Sequence, residues 1–147
     1  MQILGSFFAA VVGWVTLEFV GRPFRNFFDL RGDVIRILTE YANVRARWKP
    51  IRDSVGAESG DMEELDLTYD EIARLELAVR DIRAIAARMR AFAVNETWAR
   101  VAVYALGYDP HKASAGLIGL SNTFERYGEE KNFHKKRIAE ALRIGDS

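Results

Sequence analysis

WVTLEFVGRPFRNFFDLRGD, residues 14–33, joins an apolar run to a charged chain, and its reading decides the fold. To its left, residues 3–21 (ILGSFFAAVVGWVTLEFVG) carry one charge, Glu18, and their apolar residues face every direction of a helical wheel. A helix of that length spans roughly 28 Å, close to the hydrocarbon thickness of a bilayer. About ten strongly apolar residues contribute roughly −4 kcal/mol on an insertion scale. Glu18, near the end, subtracts less than the ~3 kcal/mol of a central carboxylate. This predicts a single transmembrane helix. A buried core helix is the rival reading. A cleaved signal peptide fits poorly, because no basic segment precedes the run and no small-x-small site follows it.

To the right of the junction, Gly21 stands where a helix C-cap is wanted, and Pro23 suits the first turn of a new helix. Arg22, Arg25, Arg31 and Arg36 follow the run and no basic side chain precedes it. The positive-inside rule then places the N-terminus outside and the C-terminal bulk in the cytoplasm, at a bacterial inner membrane. Arg22, Phe24, Arg25, Phe27 and Phe28 have the composition of a segment at the lipid interface. Glu18 pairs with Arg22 at i,i+4 in the favourable order, which explains it without ion handling. Gly5, Ala9 and Gly13 form a small-residue stripe through which two anchors could pack.

Composition narrows the classes. The chain has 147 residues, enough for one ordinary domain, and no Cys, which excludes disulfides and thiolate chemistry. Its 16 Arg against 5 Lys fit a GC-rich bacterial genome. The zero net charge hides segregation: residues 22–49 carry +4, 50–71 carry −7 and 72–100 carry +3.

Two heptad stripes follow. Phe27, Leu30, Val34, Ile37, Tyr41, Val44 and Trp48 keep 3-4-3-4 spacing, and Lys49-Pro50 ends that helix. Ile72, Leu75, Val79, Ile82, Ala86, Met89 and Ala93 repeat the pattern behind a capping box, Thr68-Tyr69-Asp70-Glu71. The acidic, glycine-bearing segment 51–67 between them reads as a loop. Its acid spacing does not match a calcium loop. Together these predict an antiparallel helical hairpin over about 24–95.

C-terminal helices occupy about 96–144. Trp98, Val101, Ala102 and Ala105 share one side, and Asp109-Pro110 opens the next helix as N-cap and first residue. Gly116 and Gly119 lie in an apolar helical face, where a neighbouring backbone can come close; with Phe124 and Tyr127 they form a candidate partner surface. The last helix has Phe133, Ile138, Ala141 and Leu142 as its stripe, and a basic cluster at Lys131, Lys135, Lys136 and Arg137.

No catalytic motif stands out. His111 and His134 lack zinc-ligand spacing, and there is no phosphate loop or nucleophile elbow. No cofactor or metal is expected. Arg74, Arg80, Arg83, Arg88 and Arg90 could contact nucleic acid, but no nucleic-acid motif accompanies them and a solvated face accounts for them.

The expectation is an all-α chain: a membrane anchor (1–22) and a cytoplasmic helical bundle (23–147). It would serve as a non-enzymatic scaffold or adaptor, with inner-leaflet lipid, a protein partner or a second copy as its contacts. The alternatives are an accessory subunit of a larger membrane enzyme or transporter, and a soluble nucleic-acid binder with 3–21 in its core.

Overall fold

A helix that must be apolar on two sides organises the chain. In the computed structural model, which describes residues 11–14, 17–52 and 58–145, that helix is α2 (Tyr69–Asn95). The capping box starts it: the Glu71 amide donates to Thr68 Oγ1 at 3.4 Å, and the Thr68 amide donates to Glu71 Oε2 at 2.9 Å. Its buried residues include the heptad positions Leu75, Val79, Ile82, Ala86, Met89 and Ala93, and also Ala78, Ile85 and Phe92 on an adjoining stripe. Two partners cover the two stripes.

The first partner is α1 (Arg22–Glu40), which buries Phe27, Leu30, Val34 and Ile37. It runs antiparallel to α2. Phe27 meets Phe92 with ring centroids 5.4 Å apart, Arg88 pairs with Asp33 at 2.8 Å, and Tyr41 donates to Asp81 at 2.7 Å. As the first residue number rises, the second falls. Burial and the Asp81 hydrogen bond push the Tyr41 hydroxyl up to about 12, the bond being the larger cause.

The second partner is α4 (Pro110–Thr123), with α5 (Glu129–Leu142) packed behind it. Asp109 caps α4, accepting from the Lys112 amide at 2.8 Å, with Pro110 as the first helical residue. Between α2 and α4 lies the short α3 (Thr97–Ala105), restarted after a break at Glu96 and stopped at Gly107, whose φ is +84°.

The α4–α5 approach is close because α4 has glycines where they touch. A Cβ on Gly116 would lie 2.8 Å from Ile138 Cγ1, and one on Gly119 would overlap the His134 ring. Gly116 and Gly119, a candidate partner surface in the sequence, are thus turned onto α5 of the same chain.

Several expectations change. The membrane span at 3–21 is overturned: among the described residues no helix is long and apolar enough to cross a membrane. Gly21 does not stop a helix there. It is right-handed helical (φ −67°, ψ −42°), so the π-helical turn Leu17–Gly21 runs straight into α1. That continuation carries Arg22, Arg25, Asp29, Arg31, Asp33, Arg36 and Glu40, which hydrocarbon would not accept. The single-pass assignment, the inner-membrane location and the inside–outside orientation fall with the span. Gly5 and Ala9 lie outside the described residues; Gly13 is exposed, with open space around it.

The first heptad helix also ends earlier, at Glu40 rather than beyond Trp48. Trp48 belongs to a strand instead. β1 (Trp48–Arg52) pairs antiparallel with β2 (Glu58–Glu64) in the region expected to be a plain loop, with a register shift past Pro50, which cannot donate to the ladder. The hairpin is anchored to the turn after α4: Arg47 and Trp48 amides donate to the Glu125 carbonyl, and the Tyr127 amide donates to Trp48 O at 2.7 Å.

Replacing a helical glycine by alanine ordinarily stabilises by about 1 kcal/mol. Gly119→Ala is expected to do the reverse, lowering stability by about 1–3 kcal/mol through overpacking. The double variant Gly119→Ala/His134→Ala should recover most of the loss in urea unfolding. Equal stability of Gly119→Ala and the parent would show that the close approach is not what holds α5.

Candidate functional site

Three surfaces hold residues that the core leaves unused. The first is the outer side of α3. A nine-residue helix has one inner face, and here Ala99 and Val103 fill it. Trp98 and Val101, expected to pack inward with Ala102 and Ala105, point out: Trp98 is 83% exposed and Val101 56%. Val94, just before the break, is also exposed. Trp98 and Val101 stand one turn apart on α3, and Val94 is exposed on the other side of the break. A hydrogen bond between Arg100 and the Ala93 carbonyl, 2.8 Å, braces the break from the flank. The signal was present in the sequence, because two apolar faces on one short helix cannot both be core.

The second surface is the α5 basic cluster. Lys131 is the best defined member. Its Nζ lies 4.1 Å from the centroid of Phe124 and donates to the Phe124 carbonyl at 3.3 Å, with the Tyr127 ring 6.0 Å away. Burial, and secondarily Lys135, push its ammonium down to about 8. Phe124 is buried and Tyr127 partly exposed, so these two form the wall of the lysine's niche. Phe133, expected in the buried stripe, is instead 61% exposed.

The third surface is the junction of α1 and α5. Arg31 Nε donates to the Leu142 carbonyl at 2.8 Å and a second guanidinium nitrogen to Arg143 O at 3.2 Å, tying α1 to the end of α5. Lys112 holds Glu140 at 2.8 Å, which lowers the Glu140 carboxyl below its usual range.

The N-terminal residues considered for a lipid interface separate in space. Phe27 is wholly buried and Phe24 packs partly against the core. Phe28 lies edge-on to Tyr108 at 5.8 Å, while Arg22 and Arg25 are exposed and Arg22 pairs with Glu18 at 2.5 Å. The histidines stay apart: His111 lies 3.4 Å from Arg100, and His134 rests on Gly119. Among the described residues no group of three His, Asp or Glu side chains is placed to hold a metal ion. Of the α2 arginines, Arg88 is committed to Asp33 and Arg80 lies 3.5 Å from Asp81.

No family model, no curated protein and no solved structure matches the chain. Function must be argued from these surfaces.

Lys131 supplies a pH test. In the unfolded chain its amine stays protonated to about 10.5, and in the folded chain only to about 8. The unfolded state therefore binds more protons between those values, and stability should rise with pH across that window. Below about 8 the penalty is fully present. Tyrosine titration begins near 10, so the clean interval is about 8–10. Lys131→Met should stabilise the protein at neutral pH, on the order of 1 kcal/mol once solvent screening at a half-buried site is allowed for, and should flatten the rise. An unchanged slope in urea unfolding across this interval would assign it to another group.

Proposed function

We propose that the chain is a non-enzymatic scaffold or adaptor, a small helical bundle that engages another protein chain through the outer face of α3. The observation that carries this reading is the exposure of Trp98 and Val101, one turn apart on α3. A tryptophan at the centre of an apolar, rigidly mounted patch is what partner-binding hot spots are made of. An exposed large aromatic also keeps hydrophobic surface in water that burial against a partner would remove, at about 25 cal/mol per Å². The surfaces described above support binding more readily than covalent chemistry.

Trp98 is also mechanically suited to the role. α3 is fastened at its start by Arg100 on Ala93 O and at its end by the Tyr104 hydroxyl, which donates to Asp109 at 2.9 Å. A docking side chain on such a fixed helix loses little freedom on binding.

The test places a photoreactive aromatic residue at position 98 and, as a control, at the exposed polar position of Arg74. Irradiation in cells should give a discrete adduct from position 98 alone, at twice the chain mass if the partner is a second copy. Against the isolated partner, Trp98→Ala should then weaken binding by about 2–4 kcal/mol. Position 98 yielding nothing beyond the Arg74 background would sink the proposal.

A further inference from the structure

The groove between α1 and α5 is built differently from the α3 face, and the inference drawn from it does not depend on the adaptor reading. On α1, Ile35, Leu38 and Thr39 lie beside the heptad stripe that faces α2, and Ala42 follows in the turn after the helix. On α5, Lys135, Lys136 and Ala139 face them, followed by Ile144 and Gly145. These residues line an open groove of about 480 Å³. That is within the roughly 300–1,000 Å³ typical of small-molecule sites, which are mostly apolar with a few placed polar groups.

The C-terminal cap of α5 borders the groove. Arg143 adopts a left-handed conformation, φ 48°, and the Ile144 amide donates back to Ala139 O at 2.9 Å while the Arg143 amide donates to Glu140 O. This is a Schellman end, with Ile144 and Ala139 as its hydrophobic pair. The strain of a non-glycine left-handed residue is offset here by its guanidinium donating to Leu106 O at 2.9 Å. The turn folds Ile144 over the groove, and Arg31 clamps the same end through the Leu142 and Arg143 carbonyls.

Charge decides the occupant. Among the described residues, two lysines line the groove and no carboxylate does. Glu140, which also attracts Lys136, is already held by Lys112. On α1, Glu40 lies beside Arg36 at 3.8 Å. Lys131 reinforces the positive field around Lys135. An apolar floor under a positive lip fits a molecule with an apolar body and one anionic end.

We propose that this groove binds a single-chain amphiphile ending in a carboxylate, its alkyl chain along Ile35, Leu38, Ala139 and Ile144 and its anion at Lys135 and Lys136.

The experiment titrates the full chain, methyl-labelled for NMR, with dodecanoate below its micelle concentration, and in parallel with neutral dodecanol. Saturable shifts confined to the Ile35, Leu38 and Ile144 methyls are expected, with dodecanol at least about tenfold weaker. Lys135→Glu/Lys136→Glu, at positions outside the buried core, should cut dodecanoate affinity at least about tenfold while leaving the parent methyl spectrum in place. Equal binding of acid and alcohol would overturn the proposal, as would indifference to the lysine changes. Shifts at Val94 and Val101 with a silent groove would also overturn it, by assigning the amphiphile to the α3 face.

Discussion

Everything in this fold depends on α2 being buried along two stripes at once. Twenty-seven residues of helix with Leu75, Ile82, Met89 and Phe92 withdrawn from water cannot be covered by one neighbour. Each such side chain is worth about 1.5–3 kcal/mol only when it is covered. α1 takes one stripe and α4 the other, and α5 then covers α4. The two heptad patterns thus account for only half of the core, since each describes the α1–α2 seam alone.

The remaining half was legible through different signals. The Thr68–Glu71 capping box and the Asp109-Pro110 start both appear as hydrogen-bonded caps. The pair Gly116/Gly119 could be read as a point of close approach, though which backbone or side chain came near could not. His134, one turn before Ile138 on α5, supplies the ring that fills the missing Cβ space.

What the sequence hid has physical reasons. ESGDMEE lacks the β-branched and aromatic residues that mark strands, so nothing local announces β2. Its pairing is supported from outside, by Arg47 on Glu64 at 2.7 Å and by the backbone bonds of Arg47 and Trp48 to Glu125, contacts made more than seventy residues along the chain. At the N-terminus, hydrophobicity summed over 3–21 pointed to a bilayer, yet the helix that follows Gly21 has no boundary there. A glycine beside an arginine is equally compatible with a continuing helix, and the charges beyond it then belong to the same rod. On α3, apolar residues were plentiful enough to draw the wrong side as core. Packing chose Ala99 and Val103, the small and the β-branched residue that let α3 lie close, and left Trp98 outside.

The loose joint of the bundle follows from its tight one. Around the ring of helices, α1 meets α2, α2 meets α4, and α4 meets α5 through side-chain interdigitation, with α4–α5 drawn in by two absent Cβ atoms. A helix pulled inward on one side leaves more room on the other, and that room is the α1–α5 groove. Apolar packing does not close this last joint. Hydrogen bonds from Arg31 to the carbonyls at the end of α5 do so instead. Charge-assisted bonds to backbone act at a point, whereas interdigitated side chains act along a length, so a joint held this way stays shut at its clamped end and open elsewhere. The same sequence feature that fixes α5 on α4 therefore leaves a lysine-rimmed apolar groove on the α1 side of α5.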